Sequence, residues 1–514
     1  MAALGSAMGL IKTELDASES KPPETMLSGK KRPNLLYIFP DQYRLQALGL
    51  WEEKGYEKVL GTVSDPVVTP TLDKLAKESV LFTQTCSTYP LCSPYRGMFM
   101  SGMYPANNGV ENNCHKSRLD SLRHDVDCLT DVLHDTGYET AYVGKTHWEH
   151  NEDLFDESGN YIGTRKADGG HYMNPYDTYI PEGRGRHGIQ YWFQCVKDVH
   201  KDPRVYSSDP DKAEGKRDGE QYRPKIYSPK LEADVIVDYL RNTNSERDSD
   251  KPFSLIWAPN PPHGPYGSEE DCDEVAYRKY YKGKSPEELL NRPNLKDTPL
   301  NKATDSVAYY FANVTGIDKQ VNRVLKVLEE IGEADNTIVV FTSDHGEMMG
   351  SQGLMAKNYI YEESFLVPLM VKFPGRLQHR LEDLMLTPVD IMPTLLGLMD
   401  LEGNIPDTVE GVNYAKAIET GNFKETPKPR TVPYLGPRRK GVRSTRYSFV
   451  IHEDGSTNLF DNKLDPYQMK NIPLDDLPAS DRTILLGDLG TWLKKMNDPW
   501  FHDRIHAGII PYPV

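Results

Sequence analysis

Short, almost wholly apolar runs alternate along most of the chain with stretches whose apolar residues recur every three or four positions. Asn34 to Phe39 is one such run. It breaks at once into Pro40-Asp41-Gln42, the pattern of a buried strand emptying into a loop. Thr71 to Glu78 fits a helix, Val80 to Thr83 a short strand, Cys128 to Asp135 a helix stopped by Gly137, and Glu139 to Val143 a strand. Pro252 to Ala258, the β-branched run Thr337 to Thr342, and Val367 to Phe373 read as further strands, and Pro388 to Leu398 as a helix. The longest helical stretch, Asp305 to Ile331, sets Val307, Phe311, Val314, Ile317, Val321, Val324 and Leu328 roughly on one face. Strands alternating with helices predict an α/β fold in which a large, mainly parallel mixed sheet is sandwiched by helices. Sites in such sheets form where the strands end. Asp41 and Asp344 each sit just past a strand, so one sheet edge can unite them across a long stretch of sequence.

Two regions break the alternation. Residues 151–230 are rich in Gly, Asp, Arg, Tyr and Pro with weak periodicity, and read as long insertions around a site. From about Pro427 the texture changes. Tyr447 to His452 and Thr457 to Phe460 alternate like antiparallel strands, with Asp454-Gly455 as the turn between them. The predicted organisation is a flexible leader or export-signal remnant over 1–31, a catalytic domain over 32–424, and a small α+β subdomain with an antiparallel sheet over 425–514.

Composition narrows the function. The 514 residues are 38% hydrophobic and 26% charged, the balance of a globular chain. Acidic residues outnumber basic ones, 76 to 60, and the net charge of -16 argues against nucleic acid or an anionic membrane as a partner. No apolar run approaches the ~18 residues of a membrane span. The short apolar start from Ala2 to Leu10 lacks the basic residues that open an export signal. It reads as the stump of such a signal, favouring a periplasmic or secreted protein, or as an ordinary terminus of a cytoplasmic one. Six cysteines, Cys86, Cys92, Cys114, Cys128, Cys195 and Cys272, include no C-x-x-C pair, which argues against zinc ribbons and thioredoxin-like chemistry. With Cys92 set aside as chemical, five remain, too few for a full framework but enough for one or two bridges.

The chemistry gathers around Cys92-Ser93-Pro94-Tyr95-Arg96, continued by Gly97 to Gly102. Alone, this is a buried cysteine ahead of a helix with proline in its first turn. Together with its extension it resembles the C-x-P-x-R signature of the type I sulfatases, members of the alkaline phosphatase superfamily. That resemblance implies that Cys92 is oxidised by a maturase to formylglycine (3-oxoalanine). The hydrate of this aldehyde would attack sulfur, and Arg96 would offset the charge beside it. Asp41-Gln42 is similar to the family's first metal pair, and Ser343-Asp344-His345-Gly346 to its second. Asp41, Gln42, Cys92, Asp344 and His345 are thus the expected ligands of one divalent metal. Oxygen donors favour Ca2+, and the amide and imidazole leave room for Mn2+ or another transition ion. Gly144-Lys145-Thr146-His147 resembles the family's G-K-x-H, implying that Lys145 binds a sulfate oxygen and His147 a hydroxyl of the diol. Pro262-His263-Gly264-Pro265-Tyr266 resembles the segment whose histidine faces the leaving group, so that His263 protonates the departing alcohol. Lys357, in Gly353 to Lys357, matches a second sulfate-binding lysine.

Further matches lie in Tyr361 to Leu369, Asp390 to Leu395, and Leu459-Phe460-Asp461 with Asp465-Pro466, so the resemblance spans roughly residues 32–470. It implies an alkaline-phosphatase-like sandwich and a sulfatase acting on a sulfated small molecule or glycan, with a carbohydrate preferred. The aromatics Tyr172, Tyr176, Tyr179, Tyr191, Trp192 and Phe193 are candidate sugar contacts, although such aromatics more often serve packing. His171, Arg184, Arg186 and His187, and the run Arg438-Arg439-Lys440, are candidate contacts to an anionic sugar or else solvated faces. Phe365, where relatives carry a polar residue, is a candidate pocket residue. The sequon at Asn313 falls inside the long helix and is discounted. The alternative activity is hydrolysis of phosphonate monoesters or phosphodiesters, whose relatives share the Asp-Gln and Asp-His pairs but lack the Lys-x-His pair.

Overall fold

Leu36 and Ile38 turn to one face of the first strand and Leu35 and Tyr37 to the other, and all four are buried. This two-sided burial is the physical origin of the apolar run, and it recurs along the sheet. The computed structural model describes residues 31–501 and 503, apart from 116–117, 151–152, 156–160, 165–176, 197–198, 297 and 299–301. Its strands are β1 (Asn34–Ile38), β2 (Val80–Phe82), β3 (Glu139–Gly144), β4 (Asp153–Phe155), β5 (Tyr161–Thr164), β6 (Tyr191–Cys195), β7 (Val205–Ser207), β8 (Phe253–Ala258), β9 (Thr337–Phe341), β10 (Leu369–Lys372) and β11 (Arg380–Glu382). Four more close the chain: β12 (Val432–Gly436), β13 (Arg439–Arg443), β14 (Tyr447–His452) and β15 (Thr457–Asp461).

A nine-stranded sheet runs in the order β11-β2-β10-β9-β1-β8-β3-β6-β7. The central strands β9, β1, β8, β3 and β6 are parallel neighbours, and β10 and β7 pair antiparallel toward the two sides. On one face lie the helices Pro70–Lys77, Ser228–Arg241 and Ala303–Glu330, whose seven predicted apolar positions are all buried. On the other lie Cys92–Ser101, Leu129–Asp135 and Pro388–Leu398. The predicted α/β sandwich is therefore the observed fold. A separate antiparallel sheet, β12-β13-β14-β15, packs with the helix Ala479–Lys495 into a third core that also takes in Met98, Tyr104 and Val389.

The insertion reading of 151–230 needs correction. Tyr191–Cys195 and Val205–Ser207 are strands of the main sheet, and the helix Ser228–Arg241 opens before the region ends. Tyr191–Cys195 is buried on both faces, so it shows no alternation to betray a strand. Tyr191, Trp192 and Phe193 are core residues, unable to form a sugar platform, and Tyr179 packs on Tyr206. Arg186 and His187 are likewise buried: Arg186 pairs with Asp218 and His187 with Asp131. Phe365 is fully buried, with its ring against Tyr434. All six cysteines are buried free thiols, so the one or two possible bridges do not form. Asn313 is buried and hydrogen-bonded to Tyr227, in keeping with the discounted sequon. Residues 1–30, His171, Tyr172 and Tyr176 lie outside the described residues.

Candidate active site

Four adjacent parallel strands deliver the site from one sheet edge. β9 leads to Asp344-His345, β1 to Asp41-Gln42, β8 to His263, and β3 to Lys145 and His147. Ile38 pairs with Phe341, so Asp41 and Asp344 leave their strands at the same level. The Asp344 Oδ1 accepts the backbone N–H of Gln42 at 2.9 Å and locks the two loops together. The His263 N–H donates to the Asp41 carbonyl at 3.1 Å and ties in β8. At the end of β3 the chain turns through Gly144 with φ +115°, where a Cβ would meet the Ala258 carbonyl oxygen at 2.3 Å. Only glycine lets Lys145 leave the sheet there. Gly346 meets a similar limit, its hypothetical Cβ 2.0 Å from the Glu363 carbonyl oxygen.

Cys92 enters from the other side as the first residue of its helix, almost fully buried. Its Sγ lies 3.3 Å from His345 Nε2 and 3.7 Å from Asp41 Oδ1. One turn on, the Arg96 guanidinium reaches Asp41 Oδ2 at 3.1 Å and Asp344 Oδ2 at 3.3 Å, with the Phe39 ring 4.8 Å beneath it. Lys145 Nζ donates to Asp41. His147 and His263 both flank the thiol. Lys357 Nζ donates to Gln42 Oε1 at 2.6 Å. The structure thus brings the residues expected for catalysis and metal binding into one cluster, without the expected sugar contacts.

The sulfatase sequence model matches residues 33–401, well over half the chain, and that of the N-sulphoglucosamine sulphohydrolase C-terminal region matches residues 350–480. The chain belongs to the sulfatase family. Among curated proteins this sulfatase is 38% identical to the endo-4-O-sulfatase of Bacteroides thetaiotaomicron, over 96% of its own length and 98% of the relative's. It is 31% identical to the ulvan-active sulfatase of Formosa agariphila, over 86% and 77%. A solved Bacteroides thetaiotaomicron structure from work on glycosaminoglycan metabolism superposes with a TM-score of 0.85 at 38% identity, covering 94% of this chain and all of that one. Sulfuric ester hydrolysis, and not phosphonate hydrolysis, is the activity these likenesses support. No described helix of the sulfatase is long and apolar enough to cross a membrane.

The electrostatics favour an anion at position 92. Burial works against ionisation of the Cys92 thiol, yet Lys145, Lys357 and His345 outweigh it and hold the group well below the ordinary thiol range. Burial and the facing Cys92 oppose ionisation of Asp41 too, and Lys145, His263 and His345 keep it low. Burial and the Asp41 charge push Asp344 the other way, to about 6. Burial and Lys357 hold His263 down to about 3.

The sulfatase family generally works with formylglycine and a divalent metal, and the donor set here fits a cation. Ligand atoms of Asp41, Cys92, Asp344 and His345 lie within 4.8 Å of one another, all fully buried. A divalent charge among them would relieve the repulsion that drives Asp344 upward. The Gln42 amide oxygen is held by Lys357.

Several residues of the site were not singled out from sequence. Glu347 is fully buried, accepts the backbone N–H groups of Met349 and Ala356 at 2.9 and 2.6 Å, and also binds Gln42 and Tyr266. It shapes the loop that carries Lys357, and its nearness to Asp344-His345-Gly346 was the available signal. Tyr142 receives Arg96 Nη1 at 3.4 Å and donates to the Lys145 carbonyl. Asn113 Oδ1 accepts the Ser93 N–H at 3.1 Å, capping the helix that begins at Cys92.

Proposed function

We propose that this sulfatase removes a sulfate ester from a carbohydrate, with formylglycine made from Cys92 by a maturase and one divalent cation held by Asp41, Asp344, His345, residue 92 and Gln42. The single observation that carries this reading is the double lining of the Cys92 side chain. Two carboxylates and an imidazole crowd the thiol, and Lys145, Lys357, His147 and His263 surround it as well. In the mature enzyme the Cys92 Sγ position stands for the formylglycine oxygen. Formylglycine supplies a hydroxyl nucleophile that can later release sulfate, and the cation supplies the charge that activates it. Ca2+ fits the oxygen-rich donors best, and Mn2+ is the alternative that His345 admits.

The chain's own residues do the rest. Arg96 clamps Asp41 and Asp344 and offsets their charge in a buried site. Lys145 and Lys357 bind anionic sulfate oxygens and orient sulfur toward residue 92. In the free enzyme His263 is neutral, and the short contact of its Nδ1 with the Gly264 carbonyl at 2.8 Å makes Nδ1 the protonated nitrogen. Nε2 is then free to receive a proton. Burial, the larger cause, and the Lys357 charge both keep that proton away; a bound sulfate ester offsets the second, and His263, beside residue 92, is the group we assign to the departing alcohol. Work on polymeric glycans is consistent with an exported enzyme, periplasmic or secreted, over a cytoplasmic one.

The test is a panel of sulfated mono- and oligosaccharides beside p-nitrophenyl sulfate and a phosphonate monoester. Products are separated by chromatography, and the mass of the Cys92 peptide is measured. Turnover of sulfated sugars by the wild type, lost in Cys92→Ala, is expected. A preference for the phosphonate, or full activity in Cys92→Ala, would refute the assignment.

A further inference from the structure

The turn between β12 and β13 places Arg438 beside Asn358, the residue that follows Lys357. Asn358, Arg438, Arg439, His452, Glu453 and Asp454 line a cavity of about 460 Å³. A second cavity of about 430 Å³ shares Pro437 and Glu453 with it and reaches Tyr89, close to Cys92 in the chain. The two cavities are neighbours through Pro437 and Glu453, and Asn358 ties the first to the loop that carries Lys357.

Most polar groups in the first cavity are already committed. Arg439 donates to the Asn358 carbonyl and stacks on the Tyr359 ring at 5.4 Å. His452 Nε2 is 2.7 Å from Asn458 Oδ1, and Asp454 Oδ1 accepts from the N–H and hydroxyl of Ser456. Two groups are not. The Arg438 side chain is exposed at the rim, with no ion pair among the described residues. The Asn358 Oδ1 is buried without a hydrogen-bond partner, an acceptor suited to a sugar hydroxyl. The Glu453 and Asp454 carboxylates share the lining, with Asp454 turned to Ser456, so what draws an anion is not the net charge of the cavity but the unpaired Arg438 guanidinium. Its planar fork matches a carboxylate or a sulfate with two parallel hydrogen bonds.

We propose that this cavity is a subsite for an anionic group, carboxylate or sulfate, on the sugar next to the one that loses its sulfate, with Arg438 as the residue that recognises it. This rests on the carbohydrate reading above and narrows it to acidic oligosaccharides longer than one unit.

The experiment compares wild type, Arg438→Gln and Arg438→Lys on three sulfated disaccharides. In one the neighbouring sugar is a uronic acid, in another that carboxylate is reduced to an alcohol, and in the last the neighbour carries a second sulfate. Melting temperatures verify that each variant folds. Expected is a loss in kcat/KM of at least about tenfold for Arg438→Gln on an anionic neighbour, mostly in KM. The loss should be only a few-fold on the reduced substrate, and Arg438→Lys should fall between. A loss tracking the uronate identifies a carboxylate subsite, and one tracking the second sulfate a sulfate subsite; either supports the proposal. Equal losses on all substrates, or none, overturn it while leaving the carbohydrate reading intact. Wild-type inactivity on every disaccharide, with p-nitrophenyl sulfate still cleaved, overturns both.

Discussion

Lys357 Nζ donates to Gln42 Oε1 at 2.6 Å, joining a proposed sulfate-binding lysine to a proposed metal ligand. The Gln42 amide also donates to Glu347, which itself shapes the Lys357 loop. The two residues therefore act as a unit, and removing either releases the other. In a cycle of Gln42→Ala, Lys357→Ala and the double variant, each single change should lower kcat/KM on a sulfated substrate by about tenfold or more. The double variant should fall short of the product, with a coupling of about 0.5–3 kcal/mol. Strict additivity would show that the contact carries nothing.

Cation binding by the Asp41, Cys92, Asp344 and His345 cluster should register as stability without any assay of turnover. A ligand that binds only the folded state at a hundredfold over its Kd adds about 2.7 kcal/mol. The wild type stripped with a chelator should therefore melt several degrees lower and recover with Ca2+, and Mn2+ added separately ranks the two ions. Asp344→Asn should blunt that recovery. It also removes the carboxylate whose ionisation burial and Asp41 oppose, so its metal-free form should melt no lower than the metal-free wild type. An identical Ca2+ response in Asp344→Asn would place the cation elsewhere.

The candidate cluster was legible in the sequence because strand ends carry it. Asp41, Lys145, His263 and Asp344 each follow an apolar run, and a parallel sheet aligns such ends without further instruction. Tyr191–Cys195 was not legible as a strand, since burial on both faces erases the alternation that reveals half-exposed ones. Tyr142 looked like one more apolar strand residue, and only the fold shows its hydroxyl reaching toward Arg96. The commitments of Arg186 to Asp218 and of His187 to Asp131 depend on tertiary packing, and a local reading offers only substrate contacts or a solvated loop for them. Charge in a Gly-rich stretch does not reveal whether it faces solvent or a buried partner.

Arg443 on β13 should prove a stability determinant linking the C-terminal sheet to the main one. It is 2% exposed and grips Glu362 with two hydrogen bonds of 2.8 and 2.7 Å, and it reaches Gln84 Oε1 at 2.6 Å. Truncating one partner of such a pair strands the other charge, at a cost of about 3–5 kcal/mol. Arg443→Ala should lower the denaturation midpoint sharply, and Glu362→Gln, which keeps the shape and one acceptor, should do less harm. Equal, small effects from both variants would mean that the pair is solvated and dispensable.

Glu232 gives a pH dependence that is separate from catalysis. It is fully buried in the helix Ser228–Arg241, its Oε2 accepting the Trp257 indole N–H at 2.8 Å. Burial pushes its carboxyl up to about 7, with the hydrogen bonds from Trp257 and Cys195 opposing only in part. The folded chain thus binds this proton more tightly than the unfolded chain, where a glutamate titrates near ~4.3. Stability must therefore fall as pH rises between those two values and level off above about 7. A shift of more than two units corresponds to about 3 kcal/mol, an upper bound reached only if no water enters. Glu232→Gln mimics the neutral acid, so it should match the wild type near ~pH 4, exceed it progressively up to about pH 7 and hold a constant lead above that. Urea midpoints for both proteins across that range provide the measurement. Parallel curves would show that Glu232 is ionised in the fold throughout and finds solvation that the packing around Trp257 does not reveal.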